Sequence, residues 1–321
     1  MKYIVPIHHD NFEQIPPRDG FGKALVELGK NNPDVAALCG DLVESTRVQA
    51  FADEFPERYF EMGVAEQNMA GIAAGLALSG KVPFISSYAV FSPGRNWDQI
   101  RVSICYSKAN VKIVGAHAGI SVGPDGATHQ ALEDVAITRV LPNMVVVVPT
   151  DSIEAKKATI AIAKHVGPSY IRFGREKTPV ITKDETPFEL GKALPILAGS
   201  DVTIIANGQM VYRSIMAAKE LEGKVSVGVL NMHTVKPIDA TAVVNAARET
   251  GAIVTAEEHQ VIGGLGSAVA EVLSCHHPIP LEIVGVLDTF GESGQPNELM
   301  EHYHLGVSDI VHAVERAIKR K

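Results

Sequence analysis

Two His and one Asp crowd into a glycine-rich segment, Gly115-Ala116-His117-Ala118-Gly119-Ile120-Ser121-Val122-Gly123-Pro124-Asp125-Gly126-Ala127-Thr128-His129-Gln130. It follows directly on an apolar run, 111–116, that reads as a buried strand. Ligands of open α/β sheets lie beyond the carboxyl ends of the strands. A loop placed there, rich in Gly and turn residues, can bring imidazoles and a carboxylate onto one small molecule. A glycine-rich turn with solvated histidines is the competing reading. The spacing 117, 125, 129 matches neither an HExxH helix nor an EF-hand, which argues against a metal.

A second signal is Gly63-Val64-Ala65-Glu66-Gln67-Asn68, opening a helix rich in Ala and Gly. A Glu in the first turn of a helix complements its dipole. The residues around Glu66 are small and apolar, however, so it is expected to face a buried interface, where a Glu needs a partner. Glu257-Glu258-His259 stands at the end of a strand as an interface or structural cluster. Gly264-Leu265-Gly266 hints at a dinucleotide fingerprint, but Val269 stands where that pattern needs Gly or Ala, and no acidic residue follows about 20 positions on. His8-His9-Asp10 and His276-His277 read as short polar turns rather than metal sites.

The elements that would carry these residues alternate in type. Helical spacing covers 20–30, 65–78, 96–106 and 151–164, with Asp151 as N-cap. Strand-like runs cover 34–40, 82–87, 111–116, 144–148 and 169–173. From 174 to 191 the chain loses its periodicity and reads as a linker. A second alternation follows, with strands over 202–206, 225–230, 252–256 and 281–286 and helices over 210–221, 240–250, 266–273 and 307–319. Such alternation implies βαβ units, parallel sheets and two α/β domains.

The 321 residues are 46% hydrophobic and 21% charged, enough apolar surface for two cores. The net charge of −8 argues against nucleic acid as a partner. Three widely spaced Cys and no CxxC point to a reducing compartment. No apolar run is long enough for a membrane span and no signal peptide is read at the N-terminus, so a cytoplasmic location without membrane contact is expected.

Along nearly its whole length the chain resembles the C-terminal half of a transketolase. Gly63–Asn68 resembles the family's catalytic-glutamate helix, and Asp125-Gly126-Ala127-Thr128-His129-Gln130 its DGxTHQ loop. Glu257-Glu258-His259 with Gly263-Gly264-Leu265-Gly266-Ser267 resembles the C-terminal domain of the wider superfamily. The resemblance implies two three-layer α/β domains, a pyrimidine-binding domain over 1–175 and a transketolase C-terminal domain over 191–321, joined by a linker at 176–190. It implies thiamine diphosphate as cofactor, with Glu66 against N1′ of the aminopyrimidine, Tyr88 and Phe91 as an aromatic wall and Asp41 near the thiazolium. Asp41 has a simpler reading as the cap of the following turn. Arg18, Ser45, His117 and Arg175 would converge on a sugar phosphate, since guanidinium groups bind phosphate bidentately. Asp125 would read a substrate hydroxyl, and His129 would hydrogen-bond the oxygen that becomes charged.

The sequence departs from the family in two places. Across Ser92-Pro93-Gly94-Arg95-Asn96 the pattern is not followed, Gly94 stands where a third aromatic is common, and Arg95 is left without a role. The GDG motif that holds the diphosphate through Mg²⁺ is absent, since Gly40-Asp41-Leu42 and Pro124-Asp125-Gly126 both fail it. The expected protein is therefore one subunit of a two-chain transketolase of the pentose phosphate pathway. It would be inactive alone and self-associate into a two-plus-two assembly with an N-terminal subunit that holds most of the Mg²⁺ site. The rival readings are the beta subunit of a 2-oxo acid dehydrogenase, a deoxyxylulose-phosphate synthase-like enzyme and a non-catalytic regulatory partner.

Overall fold

The computed structural model describes residues 1–321. In chain order its strands are β1 (Lys2–Tyr3), β2 (Gln14–Ile15), β3 (Val35–Cys39), β4 (Tyr59–Glu61), β5 (Val82–Tyr88), β6 (Lys112–Ala116), β7 (Val145–Val147) and β8 (Ser169–Arg172). These are followed by β9 (Thr178–Pro179), β10 (Leu194–Ala198), β11 (Val202–Ala206), β12 (Val227–Asn231), β13 (Thr234–Lys236), β14 (Ile253–Gln260) and β15 (Leu281–Val286). The helices are α1 (Pro17–Asn31), α2 (Gln49–Glu54), α3 (Glu66–Leu78), α4 (Trp97–Gln99), α5 (Asp134–Arg139) and α6 (Ser152–Lys164). Then come α7 (Met210–Glu220), α8 (Ala240–Thr250), α9 (Leu265–His276), α10 (Pro296–His302) and α11 (Val307–Lys319).

One sheet runs β13-β7-β8-β6-β5-β3-β4 and the other β1-β10-β12-β11-β14-β15. Helices cover both faces of each, giving two three-layer α/β domains. Phe21 and Leu25 of α1, with Ala158 and Ile162 of α6, pack against Phe84 and Val114 on one face of the first sheet. Met69, Ala70 and Ala73 of α3 pack with Ile85 and Ile113 on the other. In the second sheet α7 and α11 bury Ile215 and Ile310 with Ile204 and Val254, and α8 and α9 bury Val243 and Val269 with Ile205 and Ile253. Each of the Val, Leu, Ile, Phe and Met side chains among these contributes about 1.5–3 kcal/mol on full burial. With both faces covered, β3, β6, β11 and β12 are buried at every residue, which explains why they read as short apolar runs rather than alternating ones. The α1–α6 contact is close enough that a Cβ on Gly20 would fall 1.8 Å from the Ser152 carbonyl oxygen, so only glycine fits there.

Several expectations are revised. The sheets are mixed rather than purely parallel, because β13 joins β7 antiparallel and β1 and β10 form an antiparallel margin on β12. The division at 176–190 is crossed twice: β1 of the first segment extends the second sheet, and β13 of the last segment extends the first. The linker is packed, with Thr178, Val180, Ile181 and Thr182 buried. Asp151 fixes it by accepting from Ile181 N (2.8 Å) and Thr182 N (2.7 Å) while its other oxygen caps α6 at Glu154 N (2.9 Å). The expected helix over 96–106 is a short α-turn passing into a π-helix at Ile100–Tyr106, a segment whose β-branched residues crowd an ordinary α-turn. Strand β14 runs on to Gln260 and carries Glu257, Glu258 and His259 within it.

Candidate active site

Strand β3 is flanked by β4 on one side and β5 on the other, so the strand order reverses there and opens a crevice beyond the carboxyl ends. Gly40 and Asp41 follow β3, Tyr88 ends β5, His117 follows β6, and Arg175 follows β8 by three residues. Arg18 lies in the first turn of α1 and Glu66 opens α3.

Glu66 is 3% exposed. Its Oε1 accepts from Arg95 NH1 at 3.0 Å, and the Arg95 guanidinium lies 4.1 Å from the Phe91 ring centre. Arg95 is thus the partner that a buried Glu requires, a role that its residue type and position in the sequence did not disclose. A faint signal was its place four residues after Phe91, where a turn closes through Arg95 N to Phe91 O at 2.8 Å. Across from it, the Cα of Gly40 faces Glu66 and Ser87, since a Cβ there would lie in ordinary contact with Glu66 Cγ (4.0 Å) and Ser87 Oγ (3.8 Å).

Tyr88 is the centre of an aromatic group. It stacks on His117 at 4.0 Å and on Phe91 at 5.9 Å, and His129 meets Phe91 edge-on at 5.3 Å. On the far side of His117, Arg18 NH1 approaches His117 Nε2 at 3.2 Å and donates to the Ser45 carbonyl at 2.9 Å. Ser45 thus enters through its backbone. Arg175 NH1 reaches Asp125 Oδ1 at 3.3 Å and the Val122 carbonyl at 3.1 Å. Asp41 stands apart. Its backbone at φ 60° is held by Glu61, whose Oε1 accepts from Asp41 N (2.8 Å) and Gly63 N (2.9 Å), while its own carboxylate accepts no N–H and caps nothing. Glu61 is a second organiser that the sequence did not reveal.

Burial first, then the charges of Arg18, Arg175 and Arg47, push His117 down to about 3, so its imidazole is neutral. A guanidinium only donates, so Nε2 accepts from Arg18 and the proton sits on Nδ1. That Nδ1 is buried without a partner, as are Arg18 Nε and Ser87 Oγ. Buried polar atoms normally have partners, and orphans grouped at one crevice fit a ligand that supplies them. Arg18 is lowered from its ordinary value by burial first and then by neighbouring Arg47, with Arg175 adding to the effect, an electrostatic setting that an anion relieves. No group of three or more His, Cys, Asp or Glu side chains is arranged to hold a metal ion, and no helix is long and apolar enough to cross a membrane.

Residues 13–180 match the family described as transketolase, pyrimidine binding domain, and residues 191–310 match transketolase, C-terminal domain. The chain is 44% identical over 308 residues to the putative transketolase C-terminal section of Methanocaldococcus jannaschii, covering 95% of this chain and 96% of that one. It is 39% identical to one of the subunits of an apulose-4-phosphate transketolase from Phocaeicola vulgatus (94% and 97% covered). It is 44% identical to a 6-deoxy-6-sulfo-D-fructose transketolase subunit of Clostridium sp. (strain MSTE9), with 95% of each covered. Among solved structures, a split gene transketolase described as an inactive beta4 tetramer superimposes with a TM-score of 0.90 at 51% identity, covering 96% of this chain and 99% of that one. Fold and crevice therefore define an α/β protein built from a pyrimidine-binding and a C-terminal domain. The chain belongs to the transketolase family and corresponds to its C-terminal section.

A pyrimidine-binding domain of this family implies thiamine diphosphate. The residues present fit its pyrimidine ring: a buried carboxylate, an aromatic wall beside it and the orphan Ser87 hydroxyl facing Gly40.

Proposed function

We propose that the chain is the second subunit of a two-chain transketolase, moving a two-carbon ketol unit from a ketose phosphate to an aldose phosphate once joined to an N-terminal subunit. The observation that carries this reading is an unbroken run of contacts from the buried Glu66 through Arg95, Phe91 and Tyr88 to His117 and Arg18. Thiamine diphosphate, when bound, supplies the nucleophilic carbon that takes up the two-carbon unit.

The chain's own residues do the rest. Glu66 presents its buried carboxylate to the pyrimidine and exchanges a proton with the ring nitrogen there. Tyr88 and Phe91 provide a flat apolar wall, and Arg95 steadies Glu66. Asp41 borders the cofactor on the β3 side. Arg18, held by the Ser45 carbonyl, and Arg175 form an anion subsite, and His117 donates from Nδ1 to a substrate oxygen. Asp125 accepts from a substrate hydroxyl, and His129 stabilises the oxygen that gains charge. With no GDG motif in the sequence, the diphosphate and its Mg²⁺ fall to the partner. A two-plus-two assembly follows, and the exposed apolar residues of α3, Ile72 and Leu78, suit a contact between chains.

The sulfosugar and apulose-phosphate names of two relatives make the anionic end of the substrate the point of choice. Two arginines suit phosphate or sulfonate, so both donors belong in the assay. The reading is tested by calorimetric titration and reconstitution. Thiamine diphosphate with Mg²⁺ should bind only the mixed complex, and ketol transfer should require both chains. Tight stoichiometric binding to the isolated chain would sink the two-chain reading.

A further inference from the structure

The second sheet has its own switch point, between β11 and β14. Past their last paired residues, Ala206 and Ala256, lie Asn207-Gly208-Gln209 and, still within β14, the pair Glu257-Glu258. This crevice holds protein. Glu258 Oε1 accepts from Ser121 N of the first domain at 2.6 Å, and its Oε2 accepts from Gln209 Nε2, which also reaches Ser121 Oγ at 3.0 Å. Arg172, paired with Asp134 at 2.8 Å, donates to the Glu258 carbonyl at 2.7 Å. Gly119, at φ 87°, lies so close that a Cβ there would fall 2.2 Å from Glu258 Oε1. The far end of the same segment is held as well: Gln130 Nε2 donates to the Glu292 carbonyl at 3.0 Å, and a Cβ on Gly126 would fall 2.5 Å from Ser293 Oγ.

We infer that Glu258 is a positioning residue. From the second domain it holds the 119–130 segment in the arrangement that presents Asp125 and His129 to substrate and seats Arg175 on the Val122 carbonyl. This deepens the transketolase reading and rests on it for the roles of those residues. Glu66, Tyr88 and Phe91 lie on other elements, and the clamped segment meets them through the edge of His129, so the clamp acts mainly on substrate binding.

The experiment has two arms. In the isolated chain, hydrogen–deuterium exchange should quicken across 119–130 in Glu258→Ala and stay near wild type in Glu258→Gln, which keeps an oxygen for Ser121 N. Exchange in β3 and β5 should not change. In the reconstituted complex, Glu258→Ala should lower kcat/KM about 10- to 100-fold, the scale of a roughly 1 Å misplacement. Its affinity for thiamine diphosphate should stay that of wild type, and Glu258→Gln should restore most of the rate. If Glu258→Ala does not fold, Gln209→Ala removes one arm of the clamp and should show the same pattern more weakly. Unchanged exchange in 119–130, equal loss of cofactor and substrate binding, or a Gln variant as poor as Ala would overturn the inference. Wild-type complex without ketol transfer would count against the proposed function, while the exchange arm still reads the clamp.

Discussion

Around the carboxyl ends of β3, β5 and β6 the first sheet leaves His117 Nδ1, Arg18 Nε and Ser87 Oγ buried without partners. Where β11 ends and β14 runs on past it, the second sheet leaves the Glu257 and Glu258 carboxylates fully engaged. Glu257 takes Leu265 N at 2.6 Å and Gly266 N at 2.7 Å, and Glu258 takes Ser121 N and Gln209. Both places are switch points where α/β sheets hold ligands. The glycine-rich start of α9 is the kind of helix N-terminus that binds anions, and here the chain's own carboxylate occupies it. A Cβ on Gly264 would fall 2.1 Å from Glu257 Oε2. One crevice leaves a cluster of polar side chains for a ligand to satisfy, and its twin has both carboxylates taken up by internal hydrogen bonds.

This contrast predicts that changes in the first crevice cost activity and changes in the second cost stability or register. The largest effect belongs to Glu66. Glu66→Gln should abolish turnover of the reconstituted complex, a loss of at least the 10²–10⁴-fold typical of a proton-handling group, with urea unfolding of the isolated chain little changed. Near-normal ketol transfer by the folded variant would remove Glu66 from the chemistry.

Next come Arg18→Ala and Arg175→Ala. Loss of a charge-assisted hydrogen bond costs roughly 1.5–3 kcal/mol, so KM for phosphorylated donors should rise about 10- to 150-fold. Donors with no anionic group should be affected far less. Equal damage to both donor types would mean that these arginines do not read the anion.

In the closed crevice, Glu257→Ala strands two buried N–H groups at the start of α9. Unfolding free energy should drop by roughly 1–3 kcal/mol, read from urea midpoints at constant m. Michaelis parameters of the surviving folded complex should barely move. A large change in KM with stability intact would show that the second crevice touches substrate after all.

Much of this was legible in sequence where the signal is local. The long elements declare themselves by period: α8, β11, β15 and α11 span the residues expected of them. Asp151 as N-cap of α6 is a one-residue signal with a one-residue outcome. The elements that went unread are short: β1, β2, β4, β9 and β13 have two or three residues, too few to show a period, and β10, α2, α5 and α10 have five to seven. The antiparallel margins and the exchanged edge strands are tertiary facts. In the site, the glycine-rich loop and the Glu66 helix stood out because their residue types are unusual for their setting. Arg95 did not, because its meaning depends on Glu66, 29 positions away. Glu258 was visible as part of a cluster, but its target, Ser121, lies 137 residues off and offers only a backbone N–H, which no sequence displays.

The smallest effect near neutrality, and the one that sharpens the comparison most, concerns two buried histidines. His117 is pushed down to about 3 by burial first and by Arg18 and the other charges of the open crevice. His233, stacked on Phe188 at 4.2 Å, is pushed down to about 3 by burial alone. In the unfolded chain each titrates near 6.5. Between about 6.5 and 3 the unfolded state therefore holds protons that the native state lacks, so stability falls as pH drops through 6.5 and goes on falling towards 3. Urea midpoints measured from pH 7.5 down to pH 5 should show this slope, and both His117→Asn and His233→Asn should flatten it. Inorganic phosphate tells the two apart. An anion among Arg18, Arg175 and His117 favours the imidazolium, so phosphate should soften the acid slope of wild type and of His233→Asn but leave that of His117→Asn unchanged. If phosphate acts equally on all three, the anion is not bound at His117, and the open crevice does not read its substrate through that end.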